Sequence, residues 1–309
     1  MHSEAISGSV GEGPLGFLWV ELTDQCNLRC VHCYADSGPE RPRYGKLMTA
    51  DYRRVIMEAS EAKCQSIQFI GGEPTLHQDL PSLIQFAAEC GMKRIEVYTN
   101  LTSISDTLLQ TIKRYQVHLA TSVYADNGET HDRVTTVQGS FARTVGNIRK
   151  MVANGIPVRV GIVSLRENHG QAEAALSFVL SLGVDAACVS VSREFGRANL
   201  SLPVNMSNLC GACAGNTLCV SPNGVVSPCI MSKAWNVGDV SQTSIGAIAE
   251  SARTRSVRRQ IGNAVPTSQE PVRAICDPKT CCPATMGCAP CTPYCAPTKG
   301  GCNPCIPKG

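Results

Sequence analysis

Three cysteines fall within eight positions of the stretch LTDQCNLRCVHCYADS, residues 22–37, at Cys26, Cys30 and Cys33, and no fourth lies nearby. A closed structural zinc site takes four protein ligands, whereas three thiolates on one iron–sulfur cluster leave an iron with an open position. The missing ligand is therefore itself a clue to chemistry. Three buried or reactive thiols in a loop are the competing reading, and they have no need of the C-x3-C-x2-C spacing.

The chain holds 18 cysteines in 309 residues, and twelve of them lie between residues 210 and 305. With no secretory signal, metal binding is a better default than a disulfide framework, because the cytosol keeps thiols reduced. Cys64, Cys90 and Cys188 stand alone in apolar or helical stretches, where a small buried residue is expected. In CGACAGNTLCVSPNGVVSPCIMSKAWNVGDV, four residues separate Gly224 from Cys229, and Cys210 and Cys213 precede that glycine by thirteen and ten intervening residues. LCVS and VVSP read as a hairpin turned at PNG. The tail, CDPKTCCPATMGCAPCTPYCAPTKGGCNPCIPKG, alternates Cys with Pro, which forbids a helix and suits backbone wrapped around metal. Four-thiolate sites suit zinc as well as iron–sulfur clusters.

These residues need elements to position them. From residue 16 to about 191, short β-rich runs alternate with helical ones. GFLWVELT, SIQFI, KRIEVYT, VHLATSVYA, VRVGIVS and AACVSVS read as strands. TADYRRVIMEASEAK, LPSLIQFAAECG, SDTLLQTIKRYQ, SFARTVGNIRKMVANG and GQAEAALSFVLSLG read as the helices between them. Such alternation predicts an α/β fold with a parallel sheet and right-handed crossovers, a partial (β/α)6 TIM-like barrel. Chemistry in such barrels sits at the C-terminal strand ends. Cys26 to Cys33, Gly71 to Pro74, Asn100, Ser122 to Asp126 and Arg193 all follow predicted strands and should meet at one mouth.

Length predicts roughly two domains: a flexible N-terminus over 1–14, the barrel over 15–200, and a cysteine-rich domain over 201–309. Net charge is +3, so bulk electrostatics do not call for nucleic acid. Arg253, Arg255, Arg258 and Arg259 read as the solvated face of a basic helix within SIGAIAESARTRSVRRQI. No run of 18 apolar residues exists and MHSEAISGSVGEGPLG lacks the features of a signal peptide, which predicts a cytoplasmic protein with no membrane association.

The three-cysteine motif after the first strand and GGEP after the second, with Gly71 lying 38 positions beyond Cys33, resemble the radical S-adenosylmethionine superfamily. The resemblance implies a [4Fe-4S] cluster on Cys26, Cys30 and Cys33, its open iron chelated by S-adenosylmethionine, which is cleaved to a 5′-deoxyadenosyl radical. It further implies that Gly71, Gly72, Glu73 and Pro74 receive the methionine amino group, that Ser122 in TSVYAD meets the ribose, and that GIVS lies against the adenine. His32 would shield the cluster or pack on adenine. Arg193 or Arg197 in REFGRANL would hold the cofactor carboxylate. His131 and Asp132 read as local hydrogen-bonding residues.

The second half resembles a SPASM or twitch domain, which implies one or two auxiliary iron–sulfur clusters with ligands among Cys210, Cys213, Cys229, Cys276, Cys282, Cys288, Cys291, Cys295 and Cys302. The tail departs from the usual SPASM order: Cys282, Cys288, Cys291 and Cys295 are separated by five, two and three residues. Cys219 lies within a strand and is expected simply to be buried. By analogy the substrate is a ribosomally made precursor peptide that is cross-linked or oxidised, with ferredoxin or flavodoxin as the low-potential electron donor. About 16 residues precede the first strand, so peptide recognition is expected from a separate protein or from the barrel mouth. The alternative is a dehydrogenase or epimerase of a small biosynthetic intermediate; a non-enzymatic metal-binding protein would have no use for the open three-cysteine site.

Overall fold

The computed structural model describes residues 15–199 and 203–265. The expectations for residues 1–14 and for Cys276, Cys282, Cys288, Cys291, Cys295 and Cys302 lie outside these described residues. Six parallel strands follow one another in sheet order: β1 (Phe17–Glu21), β2 (Ser66–Ile70), β3 (Arg94–Tyr98), β4 (His118–Ser122), β5 (Val158–Ser164) and β6 (Ala186–Val191). FLWVE and SIQFI are buried at every position, including the polar Glu21, Ser66 and Gln68, which is the mark of a strand covered on both faces. Between strands run α1 (Thr49–Glu61), α2 (Leu80–Glu89), α3 (Asp106–Arg114), α4 (Gly128–Thr135), α5 (Ser140–Ala153) and α6 (Ala172–Ser181). The fold is thus the expected partial barrel of strand–helix units.

Local chemistry explains the helix limits. Tyr52, Val55, Ile56 and Ala59 give α1 its apolar stripe, and the Asp51 carboxylate accepts from the Met48 N–H at its start. Ser105 caps α3 by accepting from Leu108 N–H, with Asp106 in the first turn and Lys113 and Arg114 in the last, as the helix dipole favours. Helix α4 was not expected from the sequence, whose THDRVTT is polar and β-branched. It is nucleated by Asn127, which accepts from Thr130 N–H. Asp132 within it then accepts from Gly139 N–H, Ser140 Oγ–H and Phe141 N–H, so one short helix caps the next.

The second half continues the same sheet. β7 (Thr217–Val220) lies parallel to β1, with Phe17 opposite Thr217 and Val20 opposite Val220. It returns through Gly224 to antiparallel β8 (Val225–Ser227), and β9 (Gly238–Asp239) completes a nine-stranded sheet. The expected hairpin is present. The expected single helix is two: α7 (Ile245–Ala249) ends, and α8 (Ala252–Ala264) restarts on Ser251, which accepts from Thr254 N–H. The basic-face reading also needs correction, because Arg258 is only 1% exposed and points inward.

A buried charge pair fastens the hairpin region to the barrel. Glu21, 1% exposed at the end of β1, meets Lys233 Nζ at 2.8 Å, and its oxygens otherwise lack hydrogen-bond partners among the described residues. Burial pushes the Glu21 carboxyl above its usual range and Lys233 opposes that rise. Removing one member of such a pair strands the other charge. Lys233→Met should destabilise the protein by roughly 2 kcal/mol, less than the ~3–5 for a fully enclosed pair, since the lysine side chain is 37% exposed. Adding Glu21→Gln should restore part of that loss; urea unfolding of both variants checks the non-additivity.

Candidate active site

The strand ends open into a cavity of about 1140 Å³, its mouth included, walled by Cys26, Cys30 and Cys33, by Gly71 and Gly72, and by Asn100, Ser122 and Arg193. Residues distant in sequence therefore meet where the strand-end argument places them. The cysteine loop is held by main-chain bonds: Cys26 N–H donates to Gly38 O, Val31 N–H to Val134 O, and Arg197 N–H to Cys33 O. Arg197 closes the loop with its guanidinium, donating to Cys30 O at 2.9 Å, to Ser37 O at 2.7 Å and to the Asp36 carboxylate at 3.0 Å. Those bonds occupy it, so of the two candidate arginines only Arg193 faces the cavity, and it donates to Asn208 O.

The cysteine set fits a metal cluster. Leu28 N–H lies 3.4 Å from Cys26 Sγ and Asn100 Nδ2 lies 3.8 Å from it, the N–H···S contacts that stabilise a thiolate ligand. Burial pushes the Cys26 thiol well up, and burial with the neighbouring Cys33 pushes Cys30 up to about 12. As free thiols they would stay protonated; a coordinated metal removes the proton outright. Among the described residues no three ligating side chains are gathered closely enough to hold a single metal ion.

GGEP has a structural task that sequence did not reveal. Gly72 N–H donates to Thr23 O and Glu73 N–H to Gln25 O, so the segment is clamped to the start of the cysteine loop. A Cβ on Gly72 would lie 2.1 Å from Gln25 O, which makes the glycine a requirement of loop packing. Gly196 is equally constrained on the other side, where a Cβ would lie 2.2 Å from Cys33 O. Glu73 is 1% exposed and accepts from Thr75 N–H, Thr75 Oγ1–H, Thr99 Oγ1–H and Asn100 N–H. The carboxylate thereby joins the ends of β2 and β3. Pro74 is buried and begins a single tight turn.

Across the cavity Ser122 Oγ pairs with Tyr98 Oη at 2.8 Å. His32, Tyr124 and His131 form an edge-packed row, with ring centroids 5.0 Å and 5.3 Å apart. Burial lowers both histidines to about 4, so each is neutral near pH 7. His131 Nδ1 accepts from Tyr124 N–H and Asp132 caps α5, which are the local roles expected of them. Tyr98, Asn100 and Arg197 are the site residues that sequence reasoning undervalued. Asn100 was visible as a strand-end residue, whereas nothing local marks Tyr98 or the loop-closing geometry of Arg197.

A second thiol group lies beside the first site. Cys210, Cys213 and Cys229 face one another, with the Cys213 thiol donating to Cys229; that bond draws Cys229 down and holds Cys213 up. Cys213 and Cys229 are buried, and Ser232 Oγ accepts from Cys229 N–H. The two residues after Cys229, Ile230 and Met231, form part of the cavity wall. Cys219 is 1% exposed in β7 opposite Ser227, buried as expected.

The model described as the Radical SAM superfamily matches residues 20–179, and that described as SPASM, an iron-sulfur cluster-binding domain, matches residues 210–282. The chain is 28% identical over 199 residues to the antilisterial bacteriocin subtilosin biosynthesis protein AlbA of Bacillus subtilis, covering 63% of this chain and 44% of that protein. It is 27% identical over 184 residues to the PqqA peptide cyclase of Gluconobacter oxydans, covering 58% and 50%. The chain thus spans about half the length of these curated relatives. Streptococcus suis SuiB bound to precursor peptide SuiA superposes with a TM-score of 0.66 at 15% identity, covering 79% of this chain and 66% of that one. BtrN in complex with AdoMet and 2-DOIA gives 0.51 at 17%, covering 82% and 89%. Among the described residues no helix is long and apolar enough to cross a membrane. An open three-cysteine loop at the mouth of a partial barrel, with a SPASM region continuing its sheet, belongs to a member of the radical S-adenosylmethionine superfamily.

Proposed function

We propose that this chain modifies a ribosomally made peptide, cross-linking or oxidising a side chain after hydrogen abstraction. The observation that carries the reading is the run Cys229–Ile230–Met231, which joins the second thiol group directly to the cavity wall. A centre so placed can take up the second electron when a substrate radical is oxidised. Similarity to AlbA, to the PqqA peptide cyclase and to the fold of SuiB supports a peptide as the substrate.

Cys26, Cys30 and Cys33 would hold the [4Fe-4S] cluster, and Gly71 to Pro74, Ser122 and Arg193 would border S-adenosylmethionine. Bound together, cluster and cofactor supply a 5′-deoxyadenosyl radical. The protein's own work is to fix the cysteine loop through Gly72, Gly196 and Arg197, to hold Ser122 through Tyr98, and to keep water away with Ile230, Met231 and the His32–Tyr124 pair. Cys210, Cys213 and Cys229 would ligate an auxiliary cluster, with further ligands from the tail. We place the protein in the cytoplasm, with a ferredoxin or flavodoxin as donor and a separate recognition protein for the peptide. The similarity in fold to the BtrN complex supports the second reading, oxidation of a small molecule. Anaerobic reconstitution with peptides encoded beside the gene, followed by product mass, separates the two: a peptide unchanged while a small alcohol is oxidised sinks the first.

Replacing Cys26, Cys30 and Cys33 together by alanine should remove about four irons and leave the auxiliary iron in place; loss of all iron would show the two ligand sets to be one. Gly72→Val should lower iron retention along with S-adenosylmethionine binding, because the Gln25 carbonyl it strikes anchors the cysteine loop. Iron analysis beside an equilibrium binding titration tests this, and a loss of cofactor affinity with normal iron would assign Gly72 to the cofactor alone. Cys229→Ala should abolish product while dithionite-driven release of 5′-deoxyadenosine persists, which chromatography of single-turnover mixtures can read.

A further inference from the structure

Arg258 stands out among the charged residues that the site above does not use. It lies midway along α8, is 1% exposed, and is among the largest fully buried side chains. One guanidinium nitrogen donates to Thr217 O at 3.2 Å, on the first strand of the hairpin, while Nε is buried with no hydrogen-bond partner among the described residues. Helix α8 packs on the turn Ala212–Ala214, which carries Cys213, and that cysteine lies within electrostatic reach of the Arg258 charge. No carboxylate meets Arg258 in an ion pair among the described residues. A buried, incompletely bonded cation is costly unless a negative charge stands against it. Free thiols do not supply that charge; thiolates bound to a cluster do.

We propose that Arg258 is a positioning residue for the auxiliary centre, set against Cys213 to offset the negative charge of the thiolate-ligated cluster and so raise its reduction potential. The inference rests on Cys210, Cys213 and Cys229 being ligands of that centre. Net charge and hydrogen bonds to sulfur are the protein's principal means of setting a cluster's potential. A cation at Cys213 favours the reduced cluster, the state the centre must reach to accept an electron from substrate.

The test is a redox titration of the reconstituted full-length protein, followed by electron paramagnetic resonance. Cys213→Ala is read first: if the auxiliary signal survives it, the ligand assignment fails, independently of Arg258. With that assignment in place, Arg258→Met, which keeps the bulk without the charge, should move the auxiliary midpoint to a more negative potential. The three-cysteine centre should stay where it was, and Arg258→Lys should recover much of the shift. An Arg258→Met protein with full auxiliary iron and an unmoved midpoint overturns the proposal. If the neutral variant loses auxiliary iron altogether, Arg258→Lys decides: retained iron supports the charge, and loss in both variants shows that Arg258 serves only the Thr217 contact and packing.

Discussion

Strand β1 is hydrogen-bonded on both edges, to β2 on one side and to β7 on the other, and the relation between the two cysteine groups depends on that double pairing. The first group leaves β1 directly, since Glu21 ends the strand and Cys26 follows within the same loop. The second is carried by the segments on either side of the β7–β8 hairpin, whose register against β1 runs from Phe17–Thr217 to Val20–Val220. A slip of one residue would turn every side chain of β7 to the other face. Phe17, Leu18, Trp19 and Val20 are each no more than 4% exposed, so such a slip would be opposed by the whole core around β1.

Above the strands the site is built from loops that bond chiefly to one another. The cysteine loop rests on GGEP below and on Gly196 and Arg197 above, with backbone carbonyls approaching too closely for any side chain at Gly72 or Gly196. Glu73 adds four accepted hydrogen bonds that link the ends of neighbouring strands. Such a frame is preorganised: ordering the loop costs little when a ligand arrives, because the main chain is already fixed.

The strands and most helices were legible in the sequence because their burial follows simple periods. SIQFI is buried at every position, and α1 shows its stripe at Tyr52, Val55, Ile56 and Ala59. Helix α4 was not legible, since its stability comes from Asn127 at one end and contacts made by Asp132 at the other. Arg258 was misread for a similar reason: a basic run looks solvated unless the break at Ser251, which rotates α8 onto the turn carrying Cys213, is known. At the site, cysteine spacing and GGEP were plain, but the reason for each glycine was not. Close approach between segments 47 positions apart, such as Gly72 and Gln25, leaves no local trace.

The nine-stranded sheet begins at β6 and ends at β9, and those two strands are not paired with each other. The cavity nevertheless draws its wall from both flanks, from Ser190 to Arg193 at the end of β6 and just past it, and from Ile230 and Met231 beyond β8. Among the described residues no strand ladder spans that gap. A closed β-barrel would carry a ladder of main-chain hydrogen bonds across it; here the flank beyond β6 is held to the cysteine loop instead, by Arg197 N–H on Cys33 O and by the Arg197 guanidinium on Cys30 O, Asp36 and Ser37 O. One arginine thus does the work that a closing strand pair would do in a full barrel, and a displacement of the segment beyond β6 is felt at once by the carbonyls of Cys30 and Cys33.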